Sequence, residues 1–157
     1  QTRQRDDWTL ERVLTGYGEQ RVLGPNDLLT LNGLAAASRI IIPMQCEYYA
    51  LEGLSDLVNT IKKVRTHLNP TLEIEGLLRT MFDNRNMLAQ QVSAQLVGHF
   101  GDKVYSTLIP RNVRLAEAPS YGMPALIYDK SSKGAQAYLQ LAKEILDRES
   151  AKQKAKQ

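Results

Sequence analysis

The chain has 157 residues, of which 43% are hydrophobic and 24% are charged, a balance typical of an ordinary globular protein. It has no apolar run of about 18 residues and its first residues are mostly polar, which excludes a predicted membrane-spanning helix and a predicted signal peptide. The net charge of +3 is too small to indicate nucleic-acid binding by itself. The single cysteine, Cys46, excludes an internal disulfide and is typical of a protein from a reducing cytoplasm.

Helical and strand-like patterns alternate along the chain from residue 26 onward. Apolar residues recur at three- and four-residue steps in the predicted helices, while short apolar runs bounded by proline or turn residues predict buried strands. In chain order, the sequence predicts a helix over 26–37, a strand over 39–43 that Pro43 stops, a loop over 44–50, a helix over 51–68 that Asn69 and Pro70 end, a strand over 72–82, a helix capped by Asp83 or Asn84 and running to Phe100, a strand over 104–109, an irregular segment over 111–130 and a helix over 132–148. Parallel strands need crossovers of this length, so the predicted fold class is α/β, a doubly wound, mostly parallel sheet with flanking helices.

The folded domain is predicted to cover residues 26–150. Residues 1–25 carry only a weak helical stripe broken by glycines, so this N-terminal segment is expected to be loosely ordered. Residues 151–157 have no apolar face and are expected to fray. The side chains predicted to face inward from the last helix are Tyr138, Leu139, Ala142, Ile145 and Leu146.

Basic side chains follow the predicted strands. The loops after parallel strands gather at one edge of a sheet, where ligands bind. The side chains placed there are Glu47, Arg85, Arg111 and Arg114. Guanidinium groups bind phosphate oxygens well, which favours a polyanion as ligand. The alternative, which the spacing leaves open, is that each arginine pairs with a local acid such as Asp83 or Glu117. A second basic group, Lys62, Lys63 and Arg65, is predicted to be the solvated face of its helix.

The sequence lacks the motifs that would indicate other kinds of site. A phosphate-binding loop needs Gly-Lys-Ser/Thr, and none of the ten glycines precedes a lysine. His67 and His99 stand apart from other ligand residues, so no metal site is assigned. Cys46 is predicted to be a buried structural thiol. No nucleophile elbow is present, so no catalytic residue is assigned.

Three long strings closely resemble the ParA/Soj-type partitioning ATPases, which have a deviant Walker A P-loop. They are IIPMQCEYYALEGLSDLVNTI at 41–61, LEIEGLLRTMFDNRNMLAQQV at 72–92 and IPRNVRLAEAPSYGMPALIYDKSSKGAQAYLQLAKEIL at 109–146, and LLTLNGLAAA before them also matches. The resemblance covers roughly residues 28–148 in the order of the family's C-terminal portion. It implies an incomplete P-loop NTPase-like domain.

The resemblance also implies roles for particular residues. In the intact family, ATP and magnesium order a sandwich homodimer that binds DNA nonspecifically, and a ParB-type partner stimulates hydrolysis. Arg85 in DNR and Arg114 in PRNVR match the family's DNA-binding arginines. The stretch Ile109, Pro110, Arg111 and Asn112 resembles the segment beside the nucleotide base and ribose, while Gln45 and Glu47 match the dimer and nucleotide face.

The chain departs from the family near its start. RVLGPND at 21–27 places Arg21 where the family has a magnesium-associated aspartate, and residues 1–25 do not match. The chain alone is therefore expected to bind no ATP or magnesium and to be inactive. The implied function is chromosome or plasmid partitioning by a nucleoid-associated, cytoplasmic protein. The alternative is a catalytically inactive DNA- or partner-binding remnant.

Two further expectations follow. A membrane-associated relative of the MinD type would need a C-terminal amphipathic helix, and DRESAKQKAKQ at 147–157 offers no apolar face for one. A parallel sheet without its first strands exposes an edge, so the isolated chain is expected to aggregate, oligomerise or require a partner.

Overall fold

The computed structural model describes residues 28–155, so the expectations for residues 1–25, Arg21 among them, lie outside the described residues. The helices and strands alternate, as predicted. They are α1 (Leu28–Ala36), β1 (Arg39–Gln45), α2 (Ala50–His67), β2 (Glu73–Phe82), α3 (Met87–Phe100), β3 (Val104–Pro110), α4 (Val113–Glu117), α5 (Ala125–Tyr128) and α6 (Lys133–Lys154), with 3-10 turns at Gly101–Lys103 and Ala118–Tyr121. The segment 111–130, predicted to be irregular, therefore contains two short helices and a 3-10 turn.

The strands form a sheet in the order β1-β2-β3, and β2 and β3 run parallel. Successive strand residues point to opposite faces of a sheet. Arg79 of β2 reaches Ser93 of α3, whereas the neighbouring Leu78 packs with Leu141 of α6. Helices therefore flank the sheet on both faces, and the predicted α/β class is confirmed.

The described residues divide into two compact units. The first contains residues 28–40 and 52–73, and the second contains residues 41–51 and 74–155. In the first unit, the buried Asn69 side chain donates to the carbonyls of Leu34 and Ala37 at 3.1 and 2.7 Å. Asn69 thus follows the end of α2, as predicted, and satisfies carbonyl groups at the end of α1 that the helix cannot pair itself.

The second unit is built around α6 packed on the strands. Tyr105 and Ile109 of β3 lie in one buried cluster with Ala137 and Leu141 of α6. A Cβ on Gly134 would overlap the side chain of Leu115, so only glycine allows α6 to approach α4 this closely. The close approach rests on a face of small residues.

The predicted inward face of the last helix is partly wrong. Tyr138, Leu139 and Leu146 are 45%, 40% and 67% exposed, and Ala142 is exposed as well. Ile145 packs against the buried cluster, as predicted, and the buried residues of the helix are Gly134, Ala135, Ala137 and Leu141.

Three predicted boundaries also differ. α6 continues to Lys154, past the start of the segment expected to fray, because Lys152 Nζ lies 2.7 Å from both carboxylate oxygens of Glu75. β1 continues through Pro43, which is tolerated because β1 lies at one end of the described strand order and a proline nitrogen can face outward there. The N-cap of α3 is Asn86 rather than Asp83 or Asn84, since Asn86 Oδ1 accepts from two helix N–H groups.

Candidate functional site

The carboxyl ends of β2 and β3 are joined by a backbone hydrogen bond. The Arg111 N–H donates to the Phe82 carbonyl at 3.1 Å, directly after both strands end. The loops 83–86 and 111–112 therefore begin side by side, as expected for neighbouring parallel strands. We call this border of the second unit the carboxyl edge.

Arg85 lies in the first of these loops and contacts Asp83 in two ways. Its Nε donates to Asp83 Oδ1 at 3.1 Å and its Nη2 to Oδ2 at 2.9 Å, a bidentate arrangement. Hydrogen bonds from Arg85 lower the pKa of Asp83 to about 2, and the charge of Arg111 adds to this. The Arg85 side chain nevertheless remains 90% exposed.

Arg114 follows the second loop and lies in the first turn of α4. The Asn112 side chain caps this helix and accepts from the Arg114 N–H at 2.9 Å, which fixes the backbone from which the arginine projects. Arg114 Nη1 donates to Glu117 at 2.9 Å, and its Nε lies 3.5 Å from Asp129. Its side chain is 53% exposed.

Both arginines therefore have the acidic partners that the sequence allowed as an alternative. Arg85 pairs with Asp83, and Arg114 pairs with Glu117. Exposed ion pairs of this kind are weak and are screened by salt, so a phosphate can replace the carboxylate at little cost. The geometry is compatible with anion binding but leaves both guanidinium groups occupied in the free chain.

The stretch that resembles a base- and ribose-binding segment borders a cavity of about 450 Å³. Ile109 is buried, Pro110 and Asn112 are half-buried, and Arg111 is exposed. The cavity also contains polar side chains that the sequence analysis did not single out, because nothing in their spacing marks them. Its lining includes Asn84, Pro110, Lys133, Gln136 and Gln140.

The end of β1 and the loop after it expose the two residues expected at the dimer and nucleotide face. Gln45 and Glu47 are exposed, and the Glu47 N–H donates to the Gln45 carbonyl at 2.9 Å. Tyr48 and Tyr49 follow, 74% and 73% exposed, with their rings edge-to-face at 5.0 Å. Cys46 is buried between exposed neighbours, and burial raises the pKa of its thiol, as suits the predicted structural role.

Outside the carboxyl edge, the described residues offer little other chemistry. Residues 28–155 contain no group of three or more His, Cys, Asp or Glu side chains placed to hold a metal. Within the same range, every helix is too short or too polar to cross a bilayer. Lys62, Lys63 and Arg65 are exposed on α2, which confirms the predicted solvated face.

A family model described as an AAA domain matches residues 24–74. The chain is 53% identical over 127 residues to the chromosome partitioning protein ParA of Caulobacter vibrioides, covering 81% of this chain and 48% of that protein. It is 58% identical over 118 residues to the sporulation initiation inhibitor protein Soj of Bacillus subtilis, covering 75% and 47%. The chain thus spans about half the length of the curated relatives it matches. These matches confirm the sequence resemblance.

Solved structures agree with the fold. A crystal structure of cobyrinic acid a,c-diamide synthase from Mycobacterium smegmatis matches with a TM-score of 0.58 and 32% identity, covering 76% of this chain and 42% of that one. The same synthase with bound ATP analog and magnesium matches with a TM-score of 0.59 and 34% identity over 75% of this chain and 42% of that one. The similarity extends over most of the described residues.

Proposed function

Because this chain is a relative of the ParA/Soj-type partitioning proteins, we propose that it is the DNA-contacting portion of a chromosome or plasmid partitioning ATPase. The observation that carries the proposal is the hydrogen bond between Arg111 and Phe82, since it makes two arginine-bearing loops start at one edge. Arg85 and Arg114 expose their guanidinium groups there. Phosphates of the DNA backbone are the ligands, and base sequence is not read.

The ion pairs of the free chain are part of this proposal. Asp83 and Glu117 hold the two guanidinium groups in water until DNA arrives. Binding exchanges each carboxylate for a phosphate oxygen, and the affinity then falls steeply with added salt because counterions are released from the DNA. A sequence-independent interaction of this kind suits a protein that associates with the nucleoid in the cytoplasm.

The nucleotide would contact the same edge in an intact partitioning protein. Ile109 to Asn112 and the adjacent cavity fit the base and ribose end, where Asn84 and Gln136 offer amide donors and acceptors. ATP with magnesium supplies the phosphoryl chemistry in such a protein, but no Gly-Lys pair is present in this sequence. We propose that the chain alone does not turn over ATP, which a hydrolysis assay of the purified chain checks.

The loop after β1 supports a further part of the proposal, contact with a second copy in the intact dimer. Gln45 and Glu47 are exposed beside two exposed tyrosines. Tyrosine is enriched at protein interfaces because one end of the ring is apolar and the other is polar. A ParB-type partner would act on the intact dimer, and no membrane contact is proposed.

The test is a titration of the chain with double-stranded DNA of random sequence at two salt concentrations. Arg85→Ala with Arg114→Ala is expected to weaken binding at least about tenfold and to reduce the slope of log affinity against log salt by about 2, one for each lost phosphate contact. The matched control is Lys62→Ala with Lys63→Ala, which removes the same charge from α2. Undiminished affinity in the arginine variant, or an equal loss in the control, would refute the proposal.

A further inference from the structure

The ladder between β2 and β3 is irregular in the middle. Leu77 pairs with Val104, Arg79 with Leu108, and Phe82 with Pro110. Between the first and second pairs, β2 advances by two residues while β3 advances by four. Between the second and third pairs, β2 advances by three residues while β3 advances by two. β3 bulges between its first and second pairs, and β2 bulges between its second and third.

The two irregularities do not cancel. Five steps along β2, from Leu77 to Phe82, face six along β3, from Val104 to Pro110. A regular ladder started at Leu77 would place Ile109 opposite Phe82. The bulges thus bring Pro110, rather than Ile109, opposite Phe82, which sets the end of β3 back by one residue, about 3.3 Å, relative to the end of β2. A shift of one residue also exchanges the faces on which side chains lie.

The bulge of β3 removes backbone groups from the ladder, and Glu144 of α6 binds the N–H groups. Its Oε1 accepts from the Ser106 N–H at 2.8 Å, and its Oε2 accepts from the Thr107 N–H at 2.9 Å. Both carboxylate oxygens are therefore bound by consecutive N–H groups. A bulge exposes donors that otherwise need water, and here one side chain takes two of them.

Arg79 of β2 binds the carbonyl groups of the same bulge. Its Nη2 donates to the Tyr105 carbonyl at 2.7 Å and to the Ser106 carbonyl at 3.3 Å, while its Nη1 donates to the Ser93 hydroxyl at 2.8 Å. One guanidinium and one carboxylate, from different elements, therefore satisfy both kinds of freed backbone group.

Glu144 is itself oriented by Arg148, one turn later on α6. Arg148 Nη2 donates to Glu144 at 2.8 Å and to the Val104 carbonyl at 3.0 Å, and its guanidinium carbon lies 4.3 Å from the centre of the Tyr105 ring. The Glu144 side chain is only 17% exposed. It is therefore held from the helix side as well as from the strand side.

We propose that Glu144 is a positioning residue, whose hold on the β3 bulge sets the register that aligns Arg111 and Arg114 with Arg85 at the carboxyl edge. This inference rests on the proposed DNA contact by Arg85 and Arg114. In physical terms, a side chain of α6 that does not contact the DNA fixes the position at which the loop after β3 begins. Without the carboxylate, the residues that bulge between Val104 and Leu108 can return to the ladder, which changes the residue of β3 that pairs with Phe82.

The first experiment measures the bulge directly. Glu144→Gln keeps the side-chain shape but loses one acceptor oxygen, so at least one of the Ser106 and Thr107 amides is expected to exchange with deuterium about tenfold faster, a loss near one hydrogen bond. Amides of β2 and of the buried part of α6 keep their protection. The matched control is Asp147→Asn, an exposed carboxylate of the same helix, which leaves both amides unchanged.

The second experiment is a double-variant cycle on DNA affinity. If Glu144 acts through Arg114, Glu144→Gln weakens binding and lowers the salt slope by up to about 1, and combining it with Arg114→Ala adds less than about twofold to the effect of Arg114→Ala alone. Independent, additive losses would overturn the positioning role, as would unchanged amide exchange at Ser106 and Thr107.

The two proposals fail in different ways. If Arg85→Ala with Arg114→Ala leaves DNA affinity intact, the DNA contact is wrong, and so is the positioning role that depends on it. If those variants do weaken binding while Glu144→Gln does not, only the positioning role is wrong.

Discussion

Two regions of this chain use the same pair of chemical groups in opposite ways. At the carboxyl edge, Arg85 binds Asp83 with a side chain that is 90% exposed. At the β3 bulge, Arg148 binds Glu144 with both side chains about one-fifth exposed, at 22% and 17%. The distances, 2.9 and 2.8 Å, are nearly the same. Distance therefore does not separate an exchangeable pair from a structural one.

Solvent and the surrounding partners make the difference. Water competes for every bond at the carboxyl edge and salt screens the charges, so either group can exchange its partner for another ion. At the bulge, Glu144 also accepts hydrogen bonds from two consecutive backbone N–H groups. Loss of that carboxylate leaves several groups unsatisfied together. The exposed pair is thus suited to binding, and the enclosed pair to fixing a register.

The largest effect expected from this comparison is on stability. Glu144→Ala removes the acceptor of two N–H groups and the partner of Arg148, and should lower the free energy of unfolding by about 3 kcal/mol. Asp83→Ala should leave the unfolding midpoint unchanged, because its pair is exposed to water. Urea unfolding of both variants checks this. Equal losses in the two variants would mean that the pairs do not differ as described.

A second prediction concerns pH. Burial alone would raise the pKa of Glu144, but hydrogen bonds from Ser106, Thr107 and Arg148 lower it to about 2 from the ordinary value of 4.5. Since the folded pKa lies below the unfolded one, the carboxylate stabilises the fold fully above about pH 5, and about 2 kcal/mol of this is lost on going down to pH 3. The loss should be absent in Glu144→Gln, when unfolding is measured at both pH values. If the free energy of unfolding depended on pH equally in the variant and the parent, the assignment of this effect to Glu144 would be wrong.

The smallest expected effect is on DNA affinity. Asp83→Asn preserves the side-chain oxygen that accepts the Arg85 N–H, but removes the charge that competes with phosphate for Arg85. DNA binding at low salt should therefore strengthen by about threefold, with less gain at high salt. A DNA titration at two salt concentrations measures the change. Weaker binding in this variant would show that the pair orients Arg85 for DNA rather than competing for it.

Much of the architecture was predictable because it depends on local patterns of apolar residues. Apolar steps of three and four residues gave α2, α3 and α6, and short apolar runs gave the three strands, since these periods follow from backbone geometry. It was also predictable that the loops after β2 and β3 begin side by side, because loops after parallel strands share one edge. The acidic alternatives for pairing were visible as Asp83 and Glu117.

Other features could not be read from local pattern. Leu139 and Leu146 were expected in the core but are exposed, because contacts with the sheet select which face of α6 is buried, and Leu141 lies on that face. Lys152 extends α6 by pairing with Glu75, 77 residues earlier in the chain. Nothing near either residue in the sequence predicts that the two side chains pair.

The sequence by itself determined the order of helices and strands and the presence of arginines after two successive strands, since each depends on residues within a few positions of one another. Only the tertiary structure decided that Glu144 and Arg79 meet at a bulge in β3. Those contacts join residues 26 to 38 positions apart, and hydrogen bonding to a bulge depends on backbone groups that every residue possesses, so no residue type announces it.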